Sequence, residues 1–224
     1  GIIAVNQQLK SWAETRLNSS TVIYLANFSS EENTVSEHTI LRGMEGKRIV
    51  CIANLREQKD HFTLLRVAEK LKVYDADWTF HLIGKDFGDD YSNKIRTLIV
   101  ELDLEKNVFL YGSKLDIKNI LDQTTLAVLT SKSEGLPVAL LEYGWHKKPI
   151  VVTNVGEIAT LVEDGKNGFV VPALQVDLFY TALITLVANK ALRVNFGQAL
   201  YASVVKKNSE HVVIKQYLNW LETI

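Results

Sequence analysis

SKSEGLPVALLE, residues 131–142, decides how the rest of the chain is read. Just before it, Leu126-Ala127-Val128-Leu129 is a short apolar run with the length of a buried strand. Within it, Pro137 suits the first turn of a helix, because that position needs no N–H and the proline φ is already helical. Glu134 and Gly135 therefore fall in a strand-to-helix turn. Val138, Ala139, Leu140, Leu141, Tyr143 and Trp145 make residues 137–145 apolar nearly all round, which predicts a buried helix with no solvent face. Glu142 is the lone charge on that helix and must find partners or be costly. A helix start offers unpaired N–H groups and a positive dipole end worth about 0.3–1 kcal/mol, and Gly135 lets a ligand approach the backbone, so the turn reads as an anion site. A structural turn with a glutamate bonded to a neighbour is the other reading, and the local pattern leaves both open.

Outward from this turn, apolar runs alternate with helical stretches. Strands are predicted at 48–53, 78–83, 108–110, 126–129, 149–152 and 169–171, with helices at 61–72, 91–102, 117–122, 137–145 and 157–162. That order predicts an α/β chain with a doubly wound, Rossmann-like parallel sheet over residues 47–205, and ligands beyond the carboxyl ends of its strands. Residues 1–46 precede it, with strands at 2–5 and 22–25 flanking a helix at 7–17. A polar, acidic stretch at 27–46 then reads as a linker. After Pro172 the chain is helical. A C-terminal helix within 206–224 carries Val213, Tyr217 and Leu221 on one stripe; it can cover the sheet or dock on another domain, and cover is the expectation.

Composition narrows the classes. With 224 residues, 47% hydrophobic and 23% charged, the chain can bury a full globular core. Lys+Arg 25 against Asp+Glu 26 leaves a net charge of −1, which gives no footing for nucleic acid. No apolar run approaches the roughly 20 residues of a membrane span. Cys51 is the single cysteine and sits in an apolar run, so a buried structural thiol is expected. The opening Gly-Ile-Ile-Ala-Val lacks the charged start of a signal peptide and reads as the cut end of something longer. The sequons at Asn18 and Asn27 are accordingly read as chance. His38, His61, His81, His146 and His211 show no ligand spacing, so no metal site is expected.

Other turns also carry candidate chemistry. Residues 53–61 carry Arg56 and Lys59 where a diphosphate would lie, one as a planar fork and one as a point charge. Gly84 and Gly88 follow a strand without the spacing of a dinucleotide fingerprint. Tyr111 and Gly112 offer a ring and a bend that could face a nucleobase. Residues 153–157 and 164–168 read as structural turns.

Residues 131–172, SKSEGLPVALLEYGWHKKPIVVTNVGEIATLVEDGKNGFVVP, resemble the C-terminal domain of the retaining glycosyltransferases of family 4, also called group 1, which have the two-domain GT-B fold. Two glutamates separated by seven residues mark that family, and Glu134 and Glu142 have that spacing. Residues 49–59, 80–84 and 107–112 resemble its other strands and loops, and residues 2–27 the end of its N-terminal domain. The resemblance implies the C-terminal, donor-binding half of a GT-B enzyme transferring a sugar from a nucleotide-diphosphate sugar with retention, in bacterial surface polysaccharide or glycoconjugate synthesis. It implies catalytic roles for Glu134, at the sugar, and for Lys59, at the phosphates. It places Glu142 at the ribose, with Gly135, Leu136, Pro137, Asn54, Arg56 and Tyr111 completing the nucleotide-sugar site. The family usually has glycine-arginine where this chain has Ala53-Asn54, and Arg56 is the expected replacement. No cofactor or metal is implied. The expected partners are the donor and a glycan or lipid-linked acceptor reached through a missing N-terminal domain, so these residues alone should bind nucleotide without transferring sugar. The implied location is cytoplasmic, with peripheral attachment to the inner membrane face left open. A non-catalytic nucleotide-binding module and a sugar-nucleotide epimerase of the same fold stand as alternatives.

Overall fold

The computed structural model describes residues 1–17, 21–29 and 38–223. The sequon at Asn18 and the acidic centre of the expected linker, residues 30–37, lie outside the described residues. In chain order the elements are β1 (Ile2–Ala4), α1 (Gln7–Arg16), β2 (Val22–Tyr24), β3 (Arg48–Ile52), a single 3-10 turn (Glu57–Lys59), α2 (His61–Tyr74), β4 (Thr79–Ile83), α3 (Asp90–Glu101), β5 (Val108–Leu110), α4 (Ile117–Asp122), β6 (Leu126–Leu129), α5 (Val138–Trp145), β7 (Ile150–Thr153), α6 (Ile158–Leu161), β8 (Phe169–Val171), α7 (Val176–Ala188), α8 (Lys190–Asn208) and α9 (Glu210–Leu221).

Six strands form one parallel sheet in the order β5-β4-β3-β6-β7-β8. Counted within the domain this is the 3-2-1-4-5-6 order, so the direction of winding reverses between β3 and β6. Both faces of such a sheet are covered, which is why β4, β6 and β7 are buried at every position, including Thr79 and His81 of β4 and Thr153 of β7. Helix α2 packs with α3 and α7, while α5 and α6 pack with α8, giving the two covering layers. Gly144 lets α5 and α8 close up: a Cβ there would stand 2.4 Å from Val204 Cγ2.

The N-terminal segment is a smaller body, a parallel β1–β2 pair with α1 around Ala4, Ala13 and Val22. It is tied to the large domain by Glu157, whose carboxylate accepts from the Gln7 amide at 2.5 Å and from the Tyr24 hydroxyl at 2.6 Å. Within the expected linker, Thr39 gives its N–H and hydroxyl to Asp116, and its carbonyl accepts from Asn119 and Gln123. The C-terminal helix departs from expectation. Of the α9 residues only Val213 is buried, and α9 packs on α8 instead of covering the sheet. The stripe is too narrow: Ile214, Leu218 and Leu221 stay exposed.

Candidate functional site

Strands β3 and β4 pair along their whole length, from Arg48↔Thr79 to Ile52↔Ile83. The β3–β6 pairing instead ends after Ile49↔Leu126 and Val50↔Ala127. The two strands part at their carboxyl ends, and there a cleft of about 330 Å³ opens. Asn54 and Lys59 line it from the β3 side, Gly84, Ser113 and Lys114 from the turns after β4 and β5, and Pro137, Val138, Ala139 and Glu142 from the start of α5.

Lys59 is positioned by backbone geometry. It ends the 3-10 turn, and Asp60 follows in the left-handed region at φ 50°, capping α2 through Thr63. Asp60 thereby turns the chain sharply and leaves Lys59 at the cleft mouth. The Thr130 hydroxyl donates to the Lys59 and Asp60 carbonyls at 3.1 and 3.0 Å, and the Lys132 amide donates to the Gln58 carbonyl at 2.7 Å. These bonds sew the β3 turn to the end of β6. The result is a contact across 75 residues of sequence: Lys59 Nζ lies 2.5 Å from Glu134 Oε1. Ser131 donates its hydroxyl to the same oxygen at 2.6 Å, and its carbonyl accepts from the Thr153 hydroxyl at 2.6 Å.

The glutamate turn is backed by Gly156, whose φ of +57° and close approach both require glycine. A Cβ there would meet the Glu134 carbonyl oxygen at 2.1 Å. Gly135 is different. Its Cβ would meet only Asn6 Nδ2, at 3.8 Å, so a methyl group finds room there. Gly135→Ala is therefore expected to leave the melting temperature within about 2 °C. Gly156→Ala is expected to lower the melting temperature by about 5 °C or more, since a clash and a left-handed strain together cost over 2 kcal/mol. Thermal scans read both.

Glu142 faces the cleft from α5. No donor among the described residues reaches its carboxylate, and burial holds its pKa above the usual carboxylate range. Helix α5 begins with Pro137 as its N-cap, and no side chain caps it. Asn54 spends its Oδ1 on the Lys85 amide at 2.8 Å, which leaves the carboxamide NH2 as the group it can offer. Gly84 admits this arrangement, because a Cβ there would lie 2.2 Å from the Ala53 carbonyl oxygen.

The cleft thus gathers four of the nine residues singled out in the sequence, Asn54, Lys59, Pro137 and Glu142, with Glu134 joined through Lys59. Gly135 and Leu136 are tied back through their carbonyls, to the Glu157 amide and to the Asn27 side chain. Arg56 and Tyr111 are not brought to the cleft. The Arg56 guanidinium lies 4.7 Å over the Phe87 ring, which also carries the Lys85 ammonium at 5.0 Å. The Tyr111 hydroxyl accepts from the Arg42 amide and bonds His81 Nδ1, so the ring is held at the β5 edge. Ser113 and Lys114 line the cleft from that turn instead. The sequence reading passed over Thr130, Ser131 and Thr153, although each is a hydroxyl at the end of an apolar run, the one signal that could have found them. Cys51 is buried and its thiol is pushed up to about 12 by that burial. His61 and His81 are likewise fully buried, and desolvation pushes them down to about 4 and about 3.

A family profile described as Glycosyl transferases group 1 matches residues 32–203. The poly(ribitol-phosphate) alpha-N-acetylglucosaminyltransferase of Staphylococcus aureus (strain COL) is 27% identical over 195 residues, 86% of this chain and 39% of that protein. The lipopolysaccharide core biosynthesis mannosyltransferase LpcC of Rhizobium leguminosarum bv. viciae is 26% identical over 159 residues, 70% of this chain and 45% of that protein. The chain therefore spans about half or less of the length of these relatives. Among solved structures, a TarM mutant from S. aureus in complex with Fondaparinux, alpha-GlcNAc-glycerol and UDP superposes with a TM-score of 0.82 at 24% identity, covering 98% of this chain and 43% of that one. Anabaena HepE in complex with UDP-glucose superposes with a TM-score of 0.83 at 18% identity, covering 99% of this chain and 63% of that one. At these identities the superpositions show the shared fold.

Proposed function

The chain belongs to the group 1 glycosyl transferases, and on that premise we propose that it is the donor-binding half of a retaining enzyme that takes a nucleotide-diphosphate sugar. One observation carries the reading: Glu142 presents an unbonded, half-buried carboxylate to the same cleft as Lys59. Two vicinal ribose hydroxyls are the ligand that satisfies such a carboxylate, because they donate twice and bring no charge.

The remaining groups then have chemical tasks. Lys59 and the N–H groups at the start of α5 face the diphosphate, and they stabilise the charge that builds on it as the sugar leaves. Glu134 orients Lys59 in the empty cleft and turns its carboxylate to sugar hydroxyls once phosphate takes the ammonium. On this reading transfer needs no metal, with lysine and helix start supplying the positive field. Among the described residues no cluster of three or more His, Cys, Asp or Glu could hold a metal ion. The acceptor, a glycan or a lipid-linked sugar, is held by the rest of the enzyme. No described helix is long and apolar enough to cross a membrane.

Calorimetry with UDP, GDP and ADP tests the reading on this chain. One of the three is expected to bind with a Kd of order 1–100 μM, about −8 to −5.5 kcal/mol. Failure of all three at millimolar concentration would remove the donor site.

A further inference from the structure

Tyr143 is the largest fully buried side chain among the described residues, and its hydroxyl bonds Ile52, which lines the cleft. Its hydroxyl accepts from the Ile52 amide at 2.7 Å and reaches the Val128 carbonyl at 3.4 Å. Those two groups belong to different strands, the last residue of β3 and the third of β6. Their pairing stops at Val50↔Ala127. Continued by one step in parallel register, the ladder would run from the Ile52 N–H straight to the Val128 carbonyl. The phenol oxygen stands where that bond would be.

We propose that Tyr143 is a positioning residue: its hydroxyl is a spacer inserted between β3 and β6 at the winding reversal, and it sets the width of the donor cleft. The geometry has two consequences. The Ile52 amide that a parted ladder would leave bare is satisfied at 2.7 Å, so the strands can separate without burying an unpaired N–H. The same side chain is anchored in α5, one residue after Glu142 and four after Ala139, both of which line the cleft. One hydroxyl therefore fixes the Ile52–Asn54 wall and the α5 wall at a single separation. Neighbouring seams need no such device, since β3–β4 and β6–β7 pair without interruption, to Ile52↔Ile83 and Leu129↔Val152.

This inference rests on the donor-site reading, and its test separates the two. The variant is Tyr143→Phe, which keeps the ring and removes the spacer. The control is Leu200→Val, a buried α8 residue that backs α5 at Gly144 without touching the hydroxyl. UDP and GDP are titrated into each by calorimetry, and the Ile52–Val128 hydrogen bond is read by through-bond NMR coupling between the amide nitrogen and the carbonyl carbon. Tyr143→Phe is expected to weaken nucleotide binding tenfold or more and to bring up the Ile52–Val128 coupling, absent in the parent. Leu200→Val is expected to lower the melting temperature yet bind within twofold of the parent. Unchanged affinity in Tyr143→Phe, an equal loss in Leu200→Val, or no coupling in the phenylalanine variant would each overturn the proposal. If the parent binds neither of these nor ADP, the donor reading fails, and the coupling alone still decides the spacer.

Discussion

Glu142→Gln is expected to make the nucleotide-free chain more stable while weakening nucleotide binding by about 10- to 100-fold. The carboxylate is half-buried and unbonded among the described residues, and burial raises its pKa above the ordinary 4.5. Between 4.5 and that raised value, the folded chain keeps a proton that the unfolded chain has lost. Stability therefore falls as pH rises through this window, and above it the full penalty is present. Glutamine is nearly isosteric and carries no charge, so the penalty disappears. Each kcal/mol relieved should raise the melting temperature by roughly 2–4 °C in a chain of this size. The gain over the parent should be near zero at pH 4, grow through the window and then level.

Binding should move the opposite way, because a charged acceptor for two hydroxyls contributes about 1.5–3 kcal/mol more than a neutral amide that can accept only with its oxygen. Parent affinity should also fall on acidification as Glu142 takes up its proton, whereas the glutamine variant should show no such step. Calorimetric scans from pH 4 to 8 with matched nucleotide titrations measure both trends. A variant that melts lower and binds equally would make Glu142 a structural residue. The opposed signs follow from one cause: a ligand-facing carboxylate is held ready at the expense of the empty fold.

Why Glu142 was legible in the sequence and Tyr143 was not is a matter of contrast. A single charge on an otherwise apolar helix conflicts with its surroundings, and such conflicts stand out without coordinates. A tyrosine in the same helix agrees with burial, and only the β3–β6 register reveals that its hydroxyl replaces a ladder bond. The strands and helices of the large domain were legible for a similar reason. Apolar runs such as β6 and β7 and the polar turns between them record burial on two faces, and observed boundaries lie within two residues of the expected ones. Contacts that cross the sheet were not legible. Lys59 and Glu134 lie far apart in sequence and meet only because β3 and β6 are neighbours. Arg56 and Tyr111 have suitable chemistry in suitable turns, yet Phe87 and the Arg42–His81 pair hold them away. The α9 stripe misled because amphipathicity says that a face is covered without saying by what.

Lys59 and Glu134 allow the fold's needs to be separated from the reaction's. Their side chains are 18% and 8% exposed, so removing one partner strands the other in a poorly solvated place. The two losses should differ. Without Glu134, the lysine can swing its ammonium toward the cleft and water, and Glu134→Leu should cost about 1 kcal/mol. Without Lys59, the shorter carboxylate has no such escape and keeps only Ser131, so Lys59→Met should cost about 2–4 kcal/mol. Combining the two replaces a paired charge by apolar groups of similar size, and stability should return to within about 1 kcal/mol of the parent. Transfer by the intact enzyme should not return with it. On the donor-site reading, loss of the lysine alone removes a positioned charge from the leaving diphosphate and should reduce turnover about 10²–10³-fold. The double variant, stable again, should be at least as slow. Urea unfolding of all four proteins beside transfer rates closes the cycle. Recovery of turnover together with stability would assign the pair to the fold alone, because a group acting on the diphosphate cannot be replaced by a methyl thioether.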